Sequence, residues 1–165
     1  MVVFILAAII TLVPTAASAQ TQNQNLTFMH VPGIPGASVK RGYEDWINVT
    51  SLRQAWDAVG RKRNSCEIDV VKGIDISGPH LWAAALMGQS FGEIIVDVTR
   101  NVGLEDRPVY EIRLTNAHIT SMVTAVDTTL AETVTVVGAG MTLTVYTEKD
   151  DGSPGTPVTT TFACN

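Results

Sequence analysis

Two cysteines and three histidines are the first candidates for chemistry in this 165-residue chain. Cys66 and Cys164 stand far apart, without the C-x-x-C spacing of a metal or redox motif. The histidines fall on a predicted strand end, a helix start and a strand, and none is at ligand spacing from another histidine or a cysteine. They are His30, His80 and His118. The pattern predicts neither a metal site nor a cofactor.

Other catalytic patterns are equally weak. No serine stands out as a nucleophile over the many in predicted turns. Gly138-Ala139-Gly140 follows one predicted strand and opens another, so no helix N-terminus is available to bind a phosphate. Several carboxylates alternate along predicted strands, which is typical of a solvated or subunit-contacting face and cannot be distinguished by sequence from a glycosidase pair. These are Glu67, Asp69, Glu93, Asp97 and Glu111. We predict that the protein is not an enzyme.

The composition favours β-structure and large neutral surfaces. Hydrophobic residues make up 45% of the chain but aromatic residues only 6%, and valine, isoleucine and alanine dominate. Charged residues are 16%, and the net charge of −5 argues against a nucleic-acid partner, which requires clustered Lys and Arg. The single basic run, Arg61-Lys62-Arg63, follows Asp57 in a polar connection that we interpret as a solvated or subunit-contacting loop.

The first 19 residues resemble a secretory signal peptide. Residues 2–13 are apolar apart from Thr11, and Ala17-Ser18-Ala19 forms an A-x-A cleavage site before Gln20. The apolar run is too short for the roughly 20 residues that a membrane span needs. We therefore expect cleavage between Ala19 and Gln20, a polar arm over residues 20–25, and a mature protein without a membrane segment that is secreted or periplasmic.

Export changes the interpretation of the two cysteines. In an oxidising compartment, an isolated pair is most simply a disulfide, here Cys66–Cys164. Such a bond would tie the tail, residues 150–165, to the body and stabilise the fold by roughly 4–5 kcal/mol in the chain-entropy model. The alternative is two unpaired thiols, and the sequence leaves open whether a bond forms within one chain or between subunits.

The predicted elements are a series of strands and one helix. Pro79 suits the first turn of the helix, Ser77 or Gly78 its cap, and Gly88 its left-handed end. Period-two alternation predicts strands over residues 67–71, 93–99 and 109–115. Further strands are predicted over residues 26–31, 46–56, 118–125, 132–137, 141–147 and 158–162. Residues 93–99 and 109–115 form a predicted hairpin across a polar loop, residues 101–108. This spacing is typical of a β-sandwich or barrel.

The order of these motifs resembles the haemolysin-coregulated protein (Hcp) family, the tube protein of type VI secretion systems, over about residues 27–149. Five segments carry the resemblance: FMHVPGIPGAS (28–38), WINV (46–49), VKGIDIS with Pro79 (71–79), YEIRL (110–114) and ETVTV (132–136). The first is similar to the family's opening strand and "GIxGES" turn, and the third to its "TKxxDxSSP" motif. Each motif alone is a common strand or turn pattern. Their shared order and spacing make the resemblance specific.

The resemblance implies a compact β-barrel of two packed antiparallel sheets with one short helix, over residues 26–149. It also implies homo-hexameric rings that stack head to tail into a hollow tube, which is an open-ended heterologous assembly. The family's extended hairpin contacts the next ring, and residues 55–65 occupy that place, so Asp57, Arg61, Lys62 and Arg63 are the expected ring-stacking residues. Small cargo or a spike-like tip protein are further partners that the resemblance allows.

Members of this family usually carry no signal peptide, which leaves three hypotheses. The preferred one is a structural subunit that forms rings and a tube or extracellular filament after export. The second is a conventional type VI tube protein for effector delivery, whose true start lies after the apolar segment. The third is a monomeric secreted binding domain on the same fold, which would need an exposed aromatic cluster that the sequence lacks.

Overall fold

The computed structural model describes residues 25–54, 66–102, 105–126 and 130–164. Within these residues it has eight strands and one helix. In chain order they are β1 (Asn25–His30), β2 (Ile47–Gln54), β3 (Cys66–Gly73), α1 (Gly78–Met87), β4 (Ser90–Val102), β5 (Glu105–Val126), β6 (Leu130–Gly138), β7 (Gly140–Val145) and β8 (Val158–Ala163).

Six of the strands close into a barrel. They follow the order β4-β1-β2-β3-β6-β5, and pairing between β4 and β5 completes the ring of strands. β7 and β8 extend the sheet beyond β5, and every pairing is antiparallel. The predicted mainly β barrel with one short helix is confirmed.

Branched aliphatic side chains fill the barrel because every second residue of each strand faces inward. On neighbouring strands, Ile94 pairs with Leu114 and Val96 with Ile112, and all four are fully buried. The other strands contribute Met29, Ile47, Ile68, Val70, Val134 and Val136. Burying this surface is the main stabilising contribution to the fold.

Strand β5 is longer than the sequence pattern predicts. The predicted loop over residues 101–108 is wrong, because β4 and β5 stay paired until Val102 faces Glu105. The two predicted strands over residues 109–115 and 118–125 are one strand, because β7 and β6 pair in succession along the same edge of β5. Pro108 is accommodated where the register shifts between Val98 and Thr99, a position that tolerates a missing N–H.

The helix follows its predicted signals. Pro79 lies in the first turn, and Gly88 ends the helix at a φ of 61°, a left-handed conformation that glycine adopts without a Cβ clash. Leu81 and Ala84 are buried in the core. Ser77 occupies the N-cap position, but its hydroxyl donates to Asp75 Oδ1 at 2.6 Å instead of capping the helix.

Candidate functional site

The disulfide lies where two strands meet end to end. β3 pairs with β6 and β8 pairs with β7, so β8 and β3 run in the same direction along consecutive stretches of the sheet. Cys66 begins β3, Cys164 directly follows β8, and the two are bonded with their Cα atoms 5.7 Å apart. The N–H of Cys164 donates to the carbonyl of Ala139 at 2.8 Å. The bond therefore joins β8 to β3 within one chain.

This bond also lies at Cys66, the first described residue after residues 55–65. Asp57, Arg61, Lys62 and Arg63, the expected ring-stacking residues, lie outside the described residues, as do Ala19 and Gln20. Cys66 is 1% exposed and belongs to the core cluster. The bond thus fixes the C-terminal strand, β8, next to the first residue that follows the predicted ring-stacking segment.

The outer face of α1 is apolar and uncharged. Its sequence, GPHLWAAALM, has neither an acidic residue in the first turn nor a basic residue in the last. Leu86 and Met87 are 81% and 72% exposed, and Trp82 is partly exposed beside them. Ile74 and Ile76, just before the helix, are also exposed. Several exposed apolar side chains on one helix and the residues just before it are typical of a protein–protein contact.

A pair of carboxylates lies on the outer wall of the barrel. Asp97 and Glu111 face each other across β4 and β5, and both are buried. The sequence predicts a solvated or subunit-contacting face for these carboxylates, and the solvated interpretation is wrong for Asp97 and Glu111. The connection between β1 and β2 covers Asp97, because Tyr43 stacks on Phe28 at 4.4 Å and donates its O–H to Asp97 Oδ2 at 3.2 Å.

The two carboxylates have unequal partners. Arg113 donates to Glu111 from Nε at 2.6 Å and from Nη2 at 3.0 Å, and the Tyr146 hydroxyl donates to the same carboxylate at 3.3 Å. Among the described side chains, none hydrogen-bonds Oδ1 of Asp97. Burial and the adjacent charge of Glu111 raise the pKa of Asp97 to about 6. Burial, followed by the charge of Asp97, raises the pKa of Tyr43.

An ionic cluster around Lys72 lies at one end of the barrel, beside the start of α1. Lys72 is fully buried, and its Nζ donates to Glu132 Oε2 at 2.6 Å, Asp75 Oδ1 at 2.8 Å and the carbonyl of Gly73 at 2.8 Å. Burial alone would raise the pKa of Asp75, but hydrogen bonds from Lys72 and Ser77 outweigh it and lower that pKa. All three ammonium protons are thus directed at oxygen acceptors.

Sequence reasoning missed this ionic cluster, although a signal for it exists. Lys72 continues the inward series of Ile68 and Val70, and Glu132 precedes the inward residues Val134 and Val136. Opposite charges at inward positions of two strands predict a buried ion pair once those strands are known to be neighbours. The pairing of Lys72 with Glu132 across β3 and β6 supplies that missing fact.

The described residues offer little for metal or membrane chemistry. No cluster of three or more His, Cys, Asp or Glu side chains in the described ranges has a geometry that could hold a metal ion. In the same residues, no helix has both the length and the apolar character to cross a membrane.

A family model described as "Type VI secretion system effector, Hcp" matches residues 28–145. The chain belongs to the Hcp family. No curated protein sequence matches it. The Hcp match covers the barrel and β7, and it ends before β8 and Cys164. The disulfide therefore links a strand inside the matched region to a tail outside it.

Solved Hcp structures share the fold at low sequence identity. Hcp1 from Salmonella typhimurium superimposes with a TM-score of 0.70 at 17% identity, over 84% of this chain and 94% of that one. A type VI secretion effector from Yersinia pestis gives 0.68 at 19%, over 83% and 98%. The secreted protein Hcp3 from Pseudomonas aeruginosa gives 0.64 at 19%, over 85% and 98%.

Proposed function

We propose that this protein is a structural, non-enzymatic subunit that assembles with copies of itself into hexameric rings after export. The rings stack head to tail into a hollow tube or extracellular filament. The observation that carries the proposal is the family match across residues 28–145 together with a barrel that superimposes on known Hcp structures. The proposed partner is therefore a second copy of the same chain.

The apolar face of α1 supports self-assembly. Leu86 and Met87 project from a helix without a charged side chain, so a neighbouring subunit can cover them without desolvating a charge. Removing them from water would contribute about 25 cal/mol per Å² of apolar surface. We place a subunit contact on this face, and the ring-stacking contact on residues 55–65 with Asp57, Arg61, Lys62 and Arg63.

The disulfide supports an extracellular setting for the assembly. Disulfides persist in oxidising compartments and are rare in the cytosol. Cys66–Cys164 joins β3 to a strand beyond the family match, which suits a subunit that must keep its tail ordered outside the cell. Together with the predicted cleavage between Ala19 and Gln20, this favours export by the general pathway. The family description itself favours the alternative, a conventional type VI tube protein.

Electron microscopy of the secreted fraction tests the assembly. The full-length chain, expressed with its own N-terminal segment, is expected to yield rings or tubes, and mass spectrometry is expected to find Gln20 at the mature N-terminus. Tubes that form only in the cytoplasm, from a chain that starts after the apolar segment, would favour the conventional tube protein. A monomer by light scattering at all concentrations would contradict both assembly hypotheses.

A matched pair of variants locates the contact. Leu86→Glu adds a charge to the centre of the apolar helix face and is expected to leave the fold intact but prevent ring formation. Gln89→Glu adds the same charge at an exposed polar residue just beyond the helix and is expected to assemble normally. Normal rings from Leu86→Glu would show that this face is not a subunit contact.

A further inference from the structure

The connection between β1 and β2, residues 31–46, lies over the carboxylate pair. Backbone hydrogen bonds hold its two halves together: Gly36 N–H donates to Asp45 O at 2.7 Å, and Ser38 N–H donates to Trp46 O at 3.0 Å. Tyr43 fixes this folded connection to the barrel wall by stacking on Phe28 and by hydrogen bonding to Asp97. Opening the connection would therefore expose Asp97 to water.

Asp97 is poorly supported as an anion in the closed arrangement. It faces Glu111 across the ladder, and Arg113, whose positive charge acts on Asp97, makes its hydrogen bonds to Glu111 and Glu93 instead. One Asp97 oxygen accepts from Tyr43, while Oδ1 is buried with no hydrogen-bond partner among the described residues. A proton on Oδ1 would remove a buried charge and reduce its repulsion with Glu111.

We propose that Asp97 is a proton-dependent latch, which holds residues 31–46 against the barrel in mildly acidic conditions and loosens them toward neutral pH. The pKa of Asp97, raised to about 6 by burial and by Glu111, supports this direction. In an open arrangement the carboxyl is hydrated and regains an ordinary pKa near 3.9. The closed form then binds the proton more tightly, so a rise in pH through 6 favours opening.

The latch acts on an existing groove. Residues from the start of β1, the start of β2 and the segment 37–42 line a groove of about 990 Å³. Lys40 forms one wall and is paired with Asp106 of β5. Because residues 37–42 belong to the latched connection, loosening it changes the width of this groove. The latch is a property of the single chain and does not depend on ring assembly.

Other titratable groups face the same region and must be separated from Asp97. Glu93, Glu111 and Arg113 lie on β4 and β5, Tyr146 follows β7, and Tyr43, Lys40 and Asp106 lie on or against the connection. His30 on β1 packs against Trp46 with ring centroids 5.1 Å apart. A variant at Asp97 distinguishes these contributions.

Amide hydrogen exchange of the full chain tests the latch. The reporters are the hydrogen-bonded amides of Gly36, Ser38 and Asp45, with rates corrected for the intrinsic effect of pH. Between pH 5 and pH 7.5 their protection is expected to fall roughly 10-fold in the wild-type protein, as the raised pKa requires. In Asp97→Asn the protection should stay constant, because the amide does not titrate. Glu93→Gln, a half-buried carboxylate on the same face, should retain the wild-type response.

Constant protection in the wild-type protein would overturn the proposal, as would an undiminished response in Asp97→Asn, which would assign the effect to another group. If Asp97→Asn fails to fold, carboxyl NMR titration of the wild-type protein decides the question. A pKa near 6 for Asp97 supports the latch, and a value near 4 overturns it.

Discussion

The two buried charge clusters of this barrel differ in how their charges are balanced. At the end of the barrel, Lys72 lies between Glu132 and Asp75, and each of its protons has an acceptor. On the outer wall, Asp97 lies beside Glu111 and keeps one oxygen without a partner. In the first cluster, Lys72 offsets negative charge of the carboxylates around it. In the second cluster, the buried charge depends on whether Asp97 is protonated.

This difference gives the two aspartates opposite effects on stability. The pKa of Asp75 is lowered in the folded protein, so its contribution to stability is present above pH 4 and is lost as the pH falls. The pKa of Asp97 is raised to about 6, so its contribution is present below pH 4 and is lost as the pH rises through 6. Loss of the Asp75 contribution therefore lowers the stability of the fold in acid, and loss of the Asp97 contribution lowers it toward neutral pH.

The largest effect is expected from Lys72→Met, which leaves two carboxylates buried without their cation. Breaking a buried ion pair on one side costs about 3–5 kcal/mol, so the free energy of unfolding in urea should fall by that amount at pH 7. Lys149→Met removes the same charge from an exposed loop residue and should change little. A loss below about 1 kcal/mol for Lys72→Met would mean that the carboxylates find water or another partner.

Gly78→Ala tests how tightly the same cluster is packed. A Cβ at this position would lie 2.9 Å from both carboxylate oxygens of Glu132, which Lys72 holds in place. We expect a loss of about 1–3 kcal/mol in unfolding free energy, the usual cost of overpacking. Gly73→Ala is the matched control, because a Cβ there meets no atom within 4 Å. Equal stability of the two variants would contradict a rigid cluster.

The sequence predicts the barrel better than it predicts either cluster. Strand alternation and the signals at Pro79 and Gly88 are local, and they place the helix and most of the strands, although they divide β5 in two and predict a loop over residues 101–108. Lys72 and Glu132 are 60 residues apart, and no local pattern shows that β3 and β6 are neighbours. Asp97 and Glu111 are in a predicted hairpin, but the register shift at Val98 and the covering Tyr43 are both tertiary features.

Asp75→Asn should remove the loss of stability that protonation of Asp75 causes in acid. The amide keeps an oxygen that can accept from Lys72 and Ser77 but loses the charge, so a cost of about 1–2 kcal/mol is expected at pH 7. Because the wild-type contribution of Asp75 is lost as the pH falls from about 4 through its lowered pKa, the difference in stability between the two proteins should shrink as the pH falls. Urea unfolding at pH 7 and pH 3 measures this. A constant difference would assign the effect to packing rather than charge.

Tyr43→Phe is expected to give the smallest effect and the one most specific to the outer wall. It keeps the stacking on Phe28 but removes the hydrogen bond to Asp97, a bond that lowers the pKa of Asp97. The pKa of Asp97 should therefore rise further. The variant should be less stable by about 1 kcal/mol at pH 7.5, where Asp97 is ionised, and by less at pH 5, where it is protonated.

Urea unfolding of Tyr43→Phe at both pH values measures this difference, and Tyr146→Phe provides the matched comparison. Tyr146 donates to Glu111, which Arg113 already neutralises, so its loss should depend much less on pH. If both variants lose the same stability at pH 5 and pH 7.5, the two carboxylates are equally compensated. The contrast between the outer wall and the Lys72 cluster would then lie in packing alone.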